Sequence, residues 1–241
     1  MKKILSKYLA DLWDEAERLN RESIKEMLSG EGIEVLLDCG CDDGSFTEEV
    51  TRVTGSTKPI GIEIEEDRAA VARGRGIDVR TADLNERFPV SDEEVDGVVL
   101  NQVIEHLNDT DNLMSEIRRI LKPGGVAVVA TENLSSWHNI FALVMGWQPF
   151  SLTNLSSRMI GIGNPLALHR GERGVPLSWQ HQRLFTVRGL LGMAELHGFL
   201  VERIAGSGYF PLPMKLAGVL SRMDPVHSAF LTVKLRRPRG A

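Results

Sequence analysis

Between residues 33 and 131 short apolar runs alternate with stretches of helical periodicity, and this alternation constrains the fold more than any other feature of the chain. "VLLD", "KPIGIEI", "IDVRTAD", "VDGVVLNQ" and "VAVVAT" predict strands at 33–38, 58–64, 77–83, 95–102 and 126–131. Helices are predicted near 45–54, 66–74 and 110–121, with a "KPGG" turn at 122–125. Apolar runs this continuous suit strands buried on both faces. Strands that alternate with helices pair in parallel through right-handed crossovers, so ligands bind beyond the strands' carboxyl ends.

The flanks depart from that rhythm. Ile4, Leu5, Tyr8, Leu9, Leu12, Trp13, Ala16 and Leu19 recur at helical spacing, and Gly30 stops the run, which predicts a helix over 4–28. Residues 133–178 interleave glycine, proline and asparagine with Trp137, Phe141, Val144, Trp147, Phe150, Met159 and Ile160. A segment of that length without regular periodicity suggests a lid-like insertion. "TVRGLLGMAELHGF" and "MKLAGVLSRM" then read as helices, and "LVERIAGSG" and "SAFLTVKLRR" as strands. The expectation is one domain over 1–241, with 1–30 as an N-terminal helical cap and 133–178 as the insertion.

A net charge of −5 gives no general attraction to nucleic acid or to an anionic membrane. The basic "KLRRPRGA" end is short and terminal and reads as a solvated tail, so no nucleic-acid partner is expected. The apolar run at 140–147 is far below the roughly 20 residues a membrane span needs. Lys7, Asp11 and Asp14 interrupt the stretch an export signal would require, so a cytoplasmic location is expected. Cys39 and Cys41 are too close for a mutual disulfide and lack the further partners of a zinc site; they read as small buried thiols.

"VLLDCGCDDGSF" (35–46) is a strand, a glycine turn and a helix start, an arrangement that holds ligands. A dinucleotide fingerprint would need glycines where Asp42 and Ser45 stand, and no phosphate-binding lysine follows. The loop instead resembles the acidic-x-Gly-x-x-x-Gly motif of class I S-adenosylmethionine-dependent methyltransferases, through Asp38, Gly40, Cys41 and Gly44. "GIEI" (61–64), "TADLNERFP" (81–89), "VDGVVLNQVIEHL" and "RRILKPGGVAVVATEN" resemble that family's later motifs in order, notably in the branch that includes quinone-biosynthesis O-methyltransferases.

The resemblance implies an α/β, Rossmann-like methyltransferase fold: a seven-stranded, mostly parallel sheet with an antiparallel last strand and helices on both faces. It implies S-adenosylmethionine as cofactor and a small, partly apolar acceptor, with O-methylation preferred. Cofactor-binding positions carried over are Asp38, Gly40, Cys41, Gly44, Glu63, Ile64, Asp83, Leu84, Asn101 and Gln102. Glu63 falls where the family holds both ribose hydroxyls, Asp83 against the adenine amino group, and Leu84 beside the ring. Asp42 replaces a frequent glycine; aspartate enters the left-handed region more readily than most residues and would add negative charge near a sulfonium.

Methyl transfer from a sulfonium is an in-line displacement that proximity and desolvation accelerate, although a hydroxyl acceptor needs a base. Glu105, His106 and His181 are the catalytic candidates, with His138 behind them. "QVIEHL" is similar to the "ExxEH" element with which some quinone O-methyltransferases and small-RNA 2′-O-methyltransferases bind a divalent metal. Gln102 takes the first glutamate's place, so the reading favours no metal. Two rivals stay open: metal-assisted methylation of RNA ends, and a catalytically silent cofactor-binding module. Glu105 and His106 could equally be a hydrogen-bonded strand-end pair, and His181 with Arg183 a loop anchor. Apolar residues 137–150 read as lid or core rather than membrane contact, since no basic face interleaves with them. Tyr8 and Trp13 either close over the cofactor's methionine end or pack the first helix.

Overall fold

The computed structural model describes residues 2–168, 170–174 and 176–240; positions 169 and 175 of the expected insertion and the two terminal residues of the 1–241 range lie outside the described residues. Strands β1 (Val35–Cys39), β2 (Lys58–Glu63), β3 (Asp78–Thr81), β4 (Val95–Asn101), β5 (Leu121–Glu132), β6 (Leu200–Ser207) and β7 (Phe230–Arg236) form one sheet. Their order is β3-β2-β1-β4-β5-β7-β6. β1 to β5 pair in parallel, and β7 runs antiparallel to both β5 and β6. The order reverses at β1, between β2 and β4, which opens a crevice beyond the carboxyl ends of these strands. This is the sheet the motif resemblance implied, including the antiparallel pairings of the last strand.

Every residue of β1 is buried, and alternate side chains serve opposite faces. Leu37 joins Ile62, Leu100 and Leu231 on one face, under α4 (Thr110–Ile120) and α6 (Val187–Leu196), through Met114, Ile117 and Leu190. Leu36 joins Val99 and Val128 on the other, under α1 (Lys2–Leu28) and α2 (Ser45–Thr54), through Ile24, Leu28 and Val50. Cys39 and Cys41 are free, buried thiols that enter different clusters. α3 (Glu66–Gly74) covers Cys41 through Ala69 and Ala72.

The "KPGG" turn expected before β5 lies inside that strand. The β4–β5 register shifts between Val95 and Gly97, Gly124 takes φ +86°, and its N–H donates to the Arg237 carbonyl at 2.9 Å. Pairing with β7 satisfies backbone groups that an isolated turn would leave to water, so the strand continues through the bulge.

The N-terminal helix lies on the β5–β7–β6 end of the sheet and on α2. Trp13 stacks on Phe210 at 5.7 Å between ring centres and meets Phe230 edge-on at 4.8 Å, while the Tyr8 hydroxyl donates to the Pro211 carbonyl at 3.1 Å. Of the two readings of Tyr8 and Trp13, the structure gives packing of the first helix. The expected insertion carries α5 (Trp137–Val144) and two short 3-10 turns, Phe150–Leu152 and Leu177–Trp179. α7 (Met214–Met223) connects β6 towards β7. Among the described residues no helix is long and apolar enough to cross a membrane.

Candidate active site at the carboxyl edge of the sheet

A cleft of about 880 Å³ opens where β1, β2 and β4 end. Its wall includes Gly40, Asp42, Glu63, Ile64, Asp83, Leu84, Asn101, Gln102, His106 and His181. Seven of the ten expected cofactor positions therefore face the cleft. Asp38, Cys41 and Gly44 sit behind its wall. The Thr47 hydroxyl donates to Asp38 Oδ2 at 2.6 Å, tying α2 to β1, and burial pushes Asp38 up to about 7. Gly44 is the left-handed N-cap of α2, and a Cβ there would lie 2.5 Å from Ile77 Cδ1. Gly40 has φ +73° and a Cβ would meet Val103 Cγ2 at 2.6 Å, so only glycine allows this approach.

Glu63 organises the loop. Its Oε1 accepts from the Ile64 and Glu65 N–H groups, each at 2.9 Å, and its Oε2 accepts from the Asp42 N–H at 2.9 Å. Asp42 holds φ +50°, the left-handed conformation expected of it. Its carboxylate is paired in two-pronged fashion with Arg68, so the negative charge expected to face a sulfonium is compensated across the loop. Asp83 Oδ1 accepts from the backbone and side-chain amides of Asn85, and Asn85 Oδ1 accepts from the Asn108 and Asp109 N–H groups. The segment after β3 is thereby fixed to the start of α4.

At the β4 end, Gln102 adopts φ +58°, uncommon for a residue with a side chain, while its N–H donates to the Ala130 carbonyl at 2.9 Å. Gln102 lines the cleft, and its Nε2 is buried with no acceptor among the described residues. Asn101 is held by a side chain from α1: Asn20 Nδ2 donates to Asn101 Oδ1 at 2.8 Å, and the Thr232 hydroxyl donates to Asn20 Oδ1 at 2.7 Å. Asn20 is fully buried. The sequence carried a signal for it, a polar residue at the centre of a stripe in which every fourth residue is otherwise apolar: Leu12, Ala16, Asn20, Ile24, Leu28. Arg68, Ser178 and Trp179 on the wall gave no such signal. The Ser178 hydroxyl donates to Glu65 Oε1 at 2.9 Å, bridging the insertion to the start of α3.

Glu105, His106 and His181 come together although 75 residues separate the last two in sequence. The Glu105 carbonyl accepts from the Gln182 N–H at 2.7 Å and the Arg183 N–H at 3.3 Å, which lays the distant segment on the 3-10 turn Ile104–His106. The two imidazoles meet edge-on with ring centres 4.8 Å apart. One ring nitrogen of each and a Glu105 oxygen all lie within 4.8 Å of one another, a set able to take a proton or a cation. His181 Nδ1 faces the Ser151 carbonyl and His106 Nδ1 the Gln180 carbonyl, so in the neutral rings the proton sits on Nδ1. Burial pushes His106 down to about 4, as does His181 beside it, against the Gln180 and Gln102 carbonyls. Burial pushes Glu105 up to about 7; its Oε2 accepts from the Thr131 hydroxyl at 2.9 Å, and its Oε1 has no partner among the described residues. Glu132, at the end of β5, is likewise pushed up to about 7 by burial and raises Glu105 further.

His138 is excluded from this cluster. It is packed against Phe150 and Phe210, and burial pushes it down to about 4. Arg183 anchors the loop through the Thr110 hydroxyl at 3.0 Å and the Asn108 carbonyl. The apolar residues of 137–150 do not line the cleft; Trp137, Phe141, Leu143 and Val144 are exposed on α5.

A crevice at the strand-order reversal, with an acid closing the second strand and a glycine loop closing the first, defines a nucleoside-binding α/β protein. The family described as "Methyltransferase domain" matches residues 37–129. The chain is 33% identical over 198 residues to the ubiquinone biosynthesis O-methyltransferase of Rhodopseudomonas palustris, covering 80% of this chain and 71% of that one. It is 39% identical over 100 residues to a probable S-adenosylmethionine-dependent methyltransferase of Mycolicibacterium smegmatis, covering 41% of this chain and only 38% of that longer protein. The crystal structure of an S-adenosylmethionine-dependent methyltransferase from Mesorhizobium loti shares the fold, with a TM-score of 0.59, 19% identity, and coverage of 90% of this chain and 98% of that one. The chain belongs to the S-adenosylmethionine-dependent methyltransferases, as its motifs led us to expect, and that family and fold imply S-adenosylmethionine as its cofactor.

Proposed function

We propose that this protein transfers a methyl group from S-adenosylmethionine to a hydroxyl of a small, partly apolar acceptor. When bound, the cofactor supplies an electrophilic methyl on a sulfonium leaving group. The residues present fit it: Glu63 offers its carboxylate to the ribose hydroxyls, Asp83 to the adenine amino group, and Ile64 and Leu84 pack the ring. Gly40 allows close approach, while Asn101 and the unpaired Gln102 amide donate or accept at the amino-acid end.

His181 takes the acceptor's proton. Its Nδ1 proton is committed to Ser151, which leaves the other nitrogen a lone pair on the cleft wall. His106 packs edge-on against it, and burial favours the neutral forms of His106 and Glu105, which lessens the cost of unpaired buried charge. The observation that carries this reading is the convergence of ring nitrogens and a carboxyl oxygen at the edge of the cofactor cleft. The name of the Rhodopseudomonas relative also supports an oxygen acceptor.

The test is transfer of a labelled methyl group to a panel of catechols, phenols, carboxylic acids and amines. Phenolic acceptors should be methylated, and His181→Gln should lower kcat by about 10²–10⁴-fold, the usual worth of a positioned base, with cofactor affinity unchanged. Preference for amines would overturn O-methylation. Tight cofactor binding without turnover would favour a silent module. Activity abolished by a chelator and restored by a divalent cation would assign the same three side chains to a metal.

A further inference from the structure

We infer that Asn139 of α5 is a positioning residue for methyl transfer: it braces the Ser151 peptide, whose carbonyl holds the His181 imidazole in the tautomer that can take a proton. The inference rests on His181 being the base. Neither Asn139 nor Ser151 lines the cleft, so both act through the histidine.

α5 is inverted relative to an ordinary surface helix. It buries Asn139 completely, together with Ala142, and leaves Phe141, Leu143 and Val144 exposed. Burying an amide is unfavourable unless its hydrogen bonds are made, so apolar burial does not account for the place of Asn139. Its bonds do. Nδ2 donates to the Asn133 carbonyl and to Ser151 Oγ, each at 3.0 Å, and Oδ1 accepts from the Ser151 N–H at 3.3 Å. Both donors of the amide and its oxygen are thus engaged, and Ser151 takes two of these bonds. Asn133, just past β5, is itself fixed, because its Nδ2 donates to the Val226 and Ser228 carbonyls at 2.7 and 2.8 Å. The 3-10 turn Phe150–Leu152 is thereby tied to the end of β5 and to the segment before β7.

The Ser151 carbonyl faces His181 Nδ1 across a sequence separation of 30 residues. Neutral histidine free in water prefers its proton on Nε2, and a fixed acceptor at Nδ1 reverses that preference. With the proton on Nδ1, Nε2 keeps its lone pair. With the proton on Nε2, that nitrogen could only donate to the acceptor's hydroxyl and could not take its proton. The backbone of this segment is held separately, by the Gln182 and Arg183 N–H groups on the Glu105 carbonyl. Backbone bonds set where the ring stands, and the Ser151 peptide sets which nitrogen carries the proton.

Histidine-ring ¹⁵N spectra in alkaline buffer, where the ring is neutral, tell the two tautomers apart, and His181→Gln identifies the signal. The parent protein should show the Nδ1–H form; the Nε2–H form there would overturn the inference. Asn139→Ala should shift the ring towards Nε2–H and lower kcat about 10–100-fold, the usual cost of losing a group that orients a functional histidine. KM for the acceptor and Kd for S-adenosylhomocysteine should stay within about threefold of the parent. A merely structural role would move stability and leave the tautomer alone. Ser151→Ala removes Oγ but keeps the carbonyl and the N–H bonded to Asn139, so it should shift tautomer and kcat the same way by less, and it carries the test if Asn139→Ala does not fold. A parental tautomer, or a parental kcat, in the folded variants would overturn the inference. Parental kcat in His181→Gln would overturn the base itself, whatever the spectra show.

Discussion

Replacing Glu63 by glutamine tests whether one carboxylate both shapes the glycine loop and grips the cofactor. In the parent, three backbone N–H groups, of Asp42, Ile64 and Glu65, donate to its two oxygens at 2.9 Å. Glutamine keeps the oxygen that faces Ile64 and Glu65 but turns an amide N–H₂ towards the Asp42 N–H, setting donor against donor. A hydrogen bond to a charged group contributes about 1.5–3 kcal/mol. The same change removes an acceptor from the expected ribose position. Since 1.4 kcal/mol is tenfold in affinity, Kd for S-adenosylhomocysteine should rise by roughly ten- to a hundredfold. Stability should fall by about 2–4 °C in Tm per kcal/mol lost, for a chain of this size. Calorimetric titration and thermal denaturation of the same sample separate the two effects. A Kd within about threefold of the parent, alongside a lowered Tm, would leave Glu63 as a loop brace and refute its role towards the ribose.

Asn20→Ala should leave Asn101 Oδ1 and the Thr232 hydroxyl buried without their partner and cost roughly 2–4 kcal/mol in denaturant unfolding, with weaker cofactor binding because Asn101 loses its brace. Asp38 is raised to about 7 when folded, so the folded chain holds a proton there that the unfolded chain releases near pH 4. Its contribution to stability is therefore complete below about pH 4 and is lost as pH rises towards about 7. Asp38→Asn can still accept from Thr47 but does not titrate. Across about pH 5–6 its stability should gain on the parent's by up to about 1.4 kcal/mol per pH unit, and parallel curves would refute the burial argument.

The glycine loop and Glu63 at the end of β2 were legible because each is local, a strand and then a turn or a charge, whereas Asp83 after β3 was placed by motif resemblance; Gly40, Glu63 and Asp83 all lie on the cleft wall. Asp42 was legible only in part. Its backbone conformation follows from its own chemistry, but its ion pair depends on where α3 places Arg68. The candidate base was present in sequence as isolated histidines. His106 and His181 became a pair, and His138 a core residue, through the backbone bonds from Gln182 and Arg183 to Glu105 and the packing of Phe150 and Phe210.

By itself the sequence determined the strand and helix rhythm, the doubly covered sheet, and the edge at which a nucleoside would bind. Those follow from apolar periodicity and turn chemistry, which act over a few residues. Only the tertiary structure decided that the N-terminal helix reaches the cleft floor through Asn20 and that the apolar insertion faces outward. Each of those joins groups many tens of residues apart, and no local preference of the chain encodes which distant side chain will arrive.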